Sequence, residues 1–79
     1  MDNLERYNNI FRNEFKVGND QLNGDLAAGN LKQWDSIKQL SLVTAVEDEF
    51  DIMLDSEDIL DFKSYETGKQ ILAKYDVIV

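Results

Sequence analysis

At 79 residues the chain has room for one small domain, and a 43% hydrophobic content is enough for a packed core and too much for a disordered tail. It contains no Cys, His or Pro, which excludes thiol and imidazole nucleophiles, Cys/His metal sites and a disulfide framework. Eight Lys and Arg against 16 Asp and Glu leave a net charge of −8, which argues against a nucleic-acid binder and makes basic surfaces the expected partners.

The first helix is predicted to start near residue 2 or 3, where Asp2 and Glu5 have the spacing of a capping box. Leu4, Tyr7, Phe11 and Phe15 then recur every three or four residues and line one face. Gly18 is placed to stop this helix in the left-handed conformation. Residues 18–34 hold Gly18, Gly24, Gly29 and several Asn, a long loop with one short helical turn, anchored by Leu22, Leu26 and Leu31. Asp35 is the predicted N-cap of a second helix that runs to about Phe50. Asp55 caps a short third helix through about Leu60, and Ser64 caps a fourth from Tyr65 to about Tyr75. In the fourth, Tyr65, Ile71, Leu72 and Tyr75 face inward, and Gly68 allows close helix contact. The expected architecture is one all-α domain over residues 1–79, a small four-helix bundle of three longer helices, one short helix and a long first loop. The first residues lack a basic-then-apolar signal order, and apolar runs such as 52–54 are far too short to span a bilayer. A cytoplasmic monomer with no membrane partner is expected.

The acidity is local. Residues 35–62 hold nine acids and one base, while residues 1–34 and 63–79 are close to neutral. On a projection of the second helix, Leu40, Leu42, Val43, Val46 and Phe50 fall in one sector, the expected core face. The opposite side carries Ser41 and Asp48, with Ile37, Thr44 and Ala45 nearby, and Glu47, Glu49 and Asp51 at its flanks. Acids at 47, 48, 49 and 51 oppose the macrodipole at the helix C-terminus, each by about 0.3–1 kcal/mol. That crowding points to binding rather than stability, although a solvated helix end carries acids too. Ile37 reads either as a fringe core residue packed on the next loop or as an exposed apolar contact. Ser36 falls in the first turn, with an accessible hydroxyl where free amides and the dipole favour an attached phosphate. It also reads as a second N-cap beside Asp35.

With these residues in place the chain resembles the acyl carrier protein family. The likeness rests on Trp34-Asp35-Ser36-Ile37, then Leu40, Leu42-Val43 and the run from Val46 to Ile52. The Asp55–Ile59 and Phe62–Tyr65 segments extend it, so that it covers roughly residues 3–75. The resemblance implies that Ser36, next to Asp35, carries 4′-phosphopantetheine. A separate magnesium-dependent phosphopantetheinyl transferase would move that arm from coenzyme A. The arm holds an acyl group as a thioester, so the thiol that the sequence lacks is imported with it. The same resemblance makes the second helix the recognition helix. Ile37 would contact partners beside the arm, with Ser41 and Thr44 on the same face. Glu47, Asp48 and Asp51 would meet basic patches on acyl-loading and acyl-using enzymes. The protein would then be a carrier and a substrate, not an enzyme.

Departures from the commonest fatty-acid pattern favour a specialised stand-alone carrier in lipid or secondary-metabolite biosynthesis. Gln33-Trp34 replaces a small pair, Lys38 and Ser41 replace frequent acids, and a proline before the third helix is missing. A D-alanyl or peptidyl-type carrier stands close behind. Trp34 is either a packing residue or part of the arm-side contact. The rival from another class is an acidic helical interaction module that is never modified. A calcium loop starting at Asp51 fails in register, because its sixth and twelfth positions are Ser56 and Phe62.

Overall fold

The computed structural model describes residues 2–79. Four helices follow in order: α1 Asn3–Phe15, α2 Ser36–Phe50, α3 Ser56–Asp61 and α4 Tyr65–Ala73. A single 3-10 turn at Asn19–Gln21 interrupts the long first loop. Among the described residues there is no strand, only an isolated backbone bridge between Ala27 and Ser64. The chain is thus a small all-α bundle with three longer helices and one short one. No helix among the described residues is long and apolar enough to cross a membrane.

Local hydrogen bonds place three of the four helix starts. Asp2 accepts from the Glu5 amide at 2.8 Å, Asp35 from the Lys38 amide at 2.9 Å, and the Ser64 hydroxyl from the Thr67 amide at 2.9 Å. The predicted capping box on α1 is half made, because the Glu5 carboxylate is held by Arg12 instead. The α1 stop also differs. The left-handed residue is Lys16 (φ 56°), whereas Gly18 is extended (φ −90°). Phe15 is the last α1 side chain the core buries, and the chain turns at the next residue even though a Lys there costs about 1 kcal/mol. α4 ends at Ala73, two residues before Tyr75.

The core forms where α1 lays its aromatic face on the rest of the chain. Tyr7, Phe11 and Phe15 are buried, joined by Ile10, while Leu4 in the first turn remains 40% exposed. An end turn has neighbours on one side only, so helical spacing overstates its burial. Phe11 has no exposed surface and packs against the rings of Tyr7, Phe15, Trp34, Phe62 and Tyr65, with centroids 4.9–6.5 Å apart. Those partners come from α1, the long loop, the α3–α4 junction and α4. The Tyr7 hydroxyl donates to the Tyr65 carbonyl at 2.6 Å. Burial, then the Tyr65 and Glu66 charges, push its pKa well above the usual tyrosine value, so it stays a donor.

The long loop is tied to the α3–α4 junction. The Ala28 amide donates to the Lys63 carbonyl and the Tyr65 amide to the Leu26 carbonyl, each at 2.8 Å. Leu26 is buried and Leu22 and Leu31 are half-buried, as anchors of the loop.

Asp58 is the one buried charged residue among those described. The Lys74 ammonium donates to its Oδ1 and the Tyr75 hydroxyl to its Oδ2, both at 2.5 Å. The Asp55 amide, at the head of α3, donates to that same Tyr75 hydroxyl. The segment after α4 therefore latches α3 at its N-terminal end. The bond from Lys74, then that from Tyr75, hold the Asp58 pKa below the ordinary aspartate value against the opposing effect of burial. A depressed carboxylate pKa stabilises the fold fully above the unfolded value. The contribution is lost as pH falls through the folded one. Asp58→Asn is expected to lower the urea midpoint at pH 6 and to flatten its decline below about pH 4. Urea titrations of both chains from pH 6 to 2.5 check this.

Gly68 decides how closely α4 approaches. A Cβ there would lie 2.1 Å from the Tyr7 hydroxyl oxygen and 2.5 Å from the Phe62 ring. Gly68→Ala is expected to destabilise the protein by about 1–3 kcal/mol, despite the better helix propensity of Ala. Chemical denaturation monitored by circular dichroism measures it.

Candidate functional site

The site begins where the long loop enters α2. Trp34 is buried, its ring 4.8 Å from Phe15 and 6.0 Å from Phe11 by centroid. Its indole N–H donates to the Gln39 side-chain oxygen. With Trp34 held inside, Asp35 turns to the surface as the cap and Ser36 becomes the first residue of α2. Ser36 is exposed, and no described residue hydrogen-bonds its hydroxyl. The first-turn amides of Ser36 and Ile37 have no intrahelical acceptor and face the same solvent.

Beside Ser36 lies an open groove of about 680 Å³. α2 supplies one wall with Asp35, Ser36, Gln39 and Leu40, and α3 supplies the other with Ile59 and Leu60. Trp34, Ala28, Gly29 and Lys63 complete the lining. The lining is mainly apolar, and the charged side chains on it are Asp35 and Lys63. The prediction that Leu40 lies in the core is corrected here, since it is 62% exposed. At 100° per residue it stands about 110° from the centre of the buried face. The neighbour on that side, α3, is only six residues long. Leu60 across the groove is 68% exposed.

Ile37 is 80% exposed and is not among the residues packed on the core, which favours the exposed apolar contact over the fringe core residue. Ile37, Ser41, Thr44, Asp48 and Asp51 are all exposed and form one stripe along α2, with Leu40 at its edge. Ser41 donates to both oxygens of the Glu14 carboxylate at 3.0 Å. Glu47 leaves the stripe. It is half-buried, and its carboxylate accepts from the Leu54 amide at 2.8 Å, tying down the loop after α2.

The acidic end of α2 is partly offset by the fold. Arg6 reaches over from α1, pairs with the Glu49 carboxylate at 2.7 Å, donates to the Glu49 carbonyl and lies 4.7 Å above the Phe50 ring. That places a cation at the negative end of the α2 dipole. Asp51 makes the left-handed turn that ends α2 (φ 54°). Lys38 is the reciprocal contact. Its ammonium leaves the Ser36 end of α2 and donates to the Glu14 carbonyl at 2.8 Å, in the last turn of α1.

Three groove residues escaped the sequence reading. Gln39 sits near the middle of the buried arc of α2, where a polar side chain is only explained by its partners. Its amide donates to the Ile59 carbonyl at 2.9 Å and the Phe62 carbonyl at 2.6 Å. Leu60 lies in α3, a helix too short to show a period, and Lys63 follows just after it. No family model matches this chain, and neither a curated protein nor a solved structure matches it significantly.

The cap sets where α2 starts and therefore where Ser36 sits. Asp35→Ala is expected to lower stability by about 1 kcal/mol and to speed hydrogen exchange at the Lys38 amide, while Leu42 and Val46 amides keep their relative protection. Native-state exchange by NMR checks it.

Proposed function

We propose that the chain is a carrier protein whose Ser36 takes a 4′-phosphopantetheine arm and presents a thioester-bound acyl or aminoacyl group to partner enzymes. One observation carries this reading. An exposed serine hydroxyl that no described residue hydrogen-bonds stands at the head of α2, directly beside a mainly apolar groove between α2 and α3. The hydroxyl is free to react, the first-turn amides and dipole favour an attached phosphate, and the groove offers an apolar arm or cargo a surface to lie on. When bound, the arm would supply the thiol that this Cys-free chain lacks.

On this reading Ser36 is the acceptor in a transfer catalysed by a separate enzyme. Its Oγ–H bond breaks, and Oγ bonds the phosphorus that carries pantetheine in coenzyme A. The phosphoanhydride bond breaks and adenosine 3′,5′-bisphosphate leaves. The proton goes to a base of the transferase, because no described residue accepts from Ser36. Asp35 holds the helix start and so the position of Oγ. The stripe of Ile37, Ser41, Thr44, Asp48 and Asp51 supplies an apolar contact and two carboxylates, free of ion pairs among the described residues, for a basic partner surface. Such rim charges set encounter rate and orientation more than affinity. A D-alanyl or peptidyl-type carrier would use the same residues.

A second reading, an unmodified interaction module, is favoured by the exposure of Ile37, Leu40 and Leu60 beside Asp48, which would suit a basic, apolar partner without any arm. Incubation with coenzyme A, magnesium and a broad-specificity phosphopantetheinyl transferase separates the two. Intact-mass measurement is expected to show one added phosphopantetheine on the wild type and none on Ser36→Ala. An unchanged wild-type mass, or addition that persists in Ser36→Ala, overturns the carrier reading.

A further inference from the structure

Gln39 uses every polar atom of its side chain to join three parts of the molecule. Its oxygen accepts from the Trp34 indole, and its nitrogen donates to the Ile59 and Phe62 carbonyls. Those two carbonyls lie at the C-terminal end of α3, where a helix leaves acceptors unpaired. Gln39 is thus both the cap of α3 and the crosspiece between the two walls of the groove. The Ile59 carbonyl also accepts from the Phe62 amide, but Gln39 cannot swing aside without leaving the Phe62 carbonyl and an indole N–H unpaired in a half-buried setting.

The space behind it is filled. Trp34 is 5% exposed and Phe62 is fully buried, and both pack against Phe11. An alkyl chain passing between α2 and α3 would have to break the Gln39 bonds and then displace an aromatic ring. In front, the groove walls are Leu40 and Leu60, which stay mostly in water. A long chain held there would keep much of its length exposed, whereas a short or polar group loses little by lying on the surface.

We propose that Gln39 is the specificity-determining residue of this groove: it bolts α3 to α2, bars the core to the cargo and so selects a short or polar acyl group. The inference rests on the carrier reading above, and its test separates the two. The apo chain is loaded at Ser36 from acetyl-, butyryl-, octanoyl- and dodecanoyl-coenzyme A, and each product is treated with hydroxylamine, which takes the acyl group as a hydroxamate and frees the thiol. In the wild type the thioester half-life is expected to stay within about twofold across the series, because the packed core admits no chain. In Gln39→Ala it is expected to lengthen about fivefold or more toward the long acyl groups, as the chain enters the opened cleft. Gln39→Met, which keeps the side-chain length and removes its hydrogen bonds, should behave like Gln39→Ala. Circular dichroism verifies that each variant keeps its helices. If the alanine variant fails to fold, the wild type and Gln39→Met decide. A wild-type half-life that rises steeply with chain length, or a flat series in the folded variants, overturns the proposal.

Failure to load the wild type at all counts against the carrier reading instead. The clamp is then read on the apo chain with free octanoate, by methyl NMR. Shifts confined to Leu40 and Leu60 in the wild type, and reaching Leu42 and Val46 in a Gln39 variant, support the barrier. Shifts at Leu42 and Val46 in the wild type overturn it.

Discussion

Phe11 is the contact on which the rest of this structure depends. Its ring touches five others, drawn from α1, the long loop, the α3–α4 junction and α4. Each such pair contributes about 0.5–1.5 kcal/mol beyond burial itself. In a 79-residue chain that is a large share of the stability available. The ring also fixes geometry. Trp34 can sit against Phe11 and Phe15 only if the long loop ends where it does, and that in turn sets where α2 begins. Gly68 completes the arrangement by letting α4 close over Tyr7 and Phe62 without a side chain between them.

The pairing of α1 with α2 adds an electrostatic match to this packing. Arg6 near the start of α1 caps the end of α2, and Lys38 near the start of α2 caps the end of α1. Exposed ion pairs alone contribute little. Here each cation also bonds an end-turn carbonyl and lies near an aromatic ring, Phe50 or Phe15. The acidity at the end of α2 is therefore better tolerated than the charge pattern alone suggests. Glu47 and Glu49 serve the fold, which leaves Asp48 and Asp51 as the carboxylates of that run presented without an ion pair among the described residues.

The same contacts shape the site. Trp34 inside puts Ser36 outside. Gln39, held by the Trp34 indole, sets the distance between α2 and α3. The Asp58 latch to Lys74 and Tyr75 holds the other end of α3. Six residues of helix are too few to be stable alone. α3 stays in place because it is tied at both ends, and the groove beside Ser36 is a consequence of those ties.

The sequence by itself determined the helix starts, the aromatic face of α1 and the position of Ser36 behind its cap. These depend on hydrogen bonds within three residues, or on side-chain spacing along one helix, so they are written locally. Only the tertiary structure decided that Leu40 faces the groove, that Lys16 rather than Gly18 makes the left-handed turn, and that Glu47 turns inward. It alone assigned Gln39 and Asp58 their partners. Each of these outcomes depends on which neighbour stands opposite and how long that neighbour is. A helical period records which residues share a face, not what that face meets.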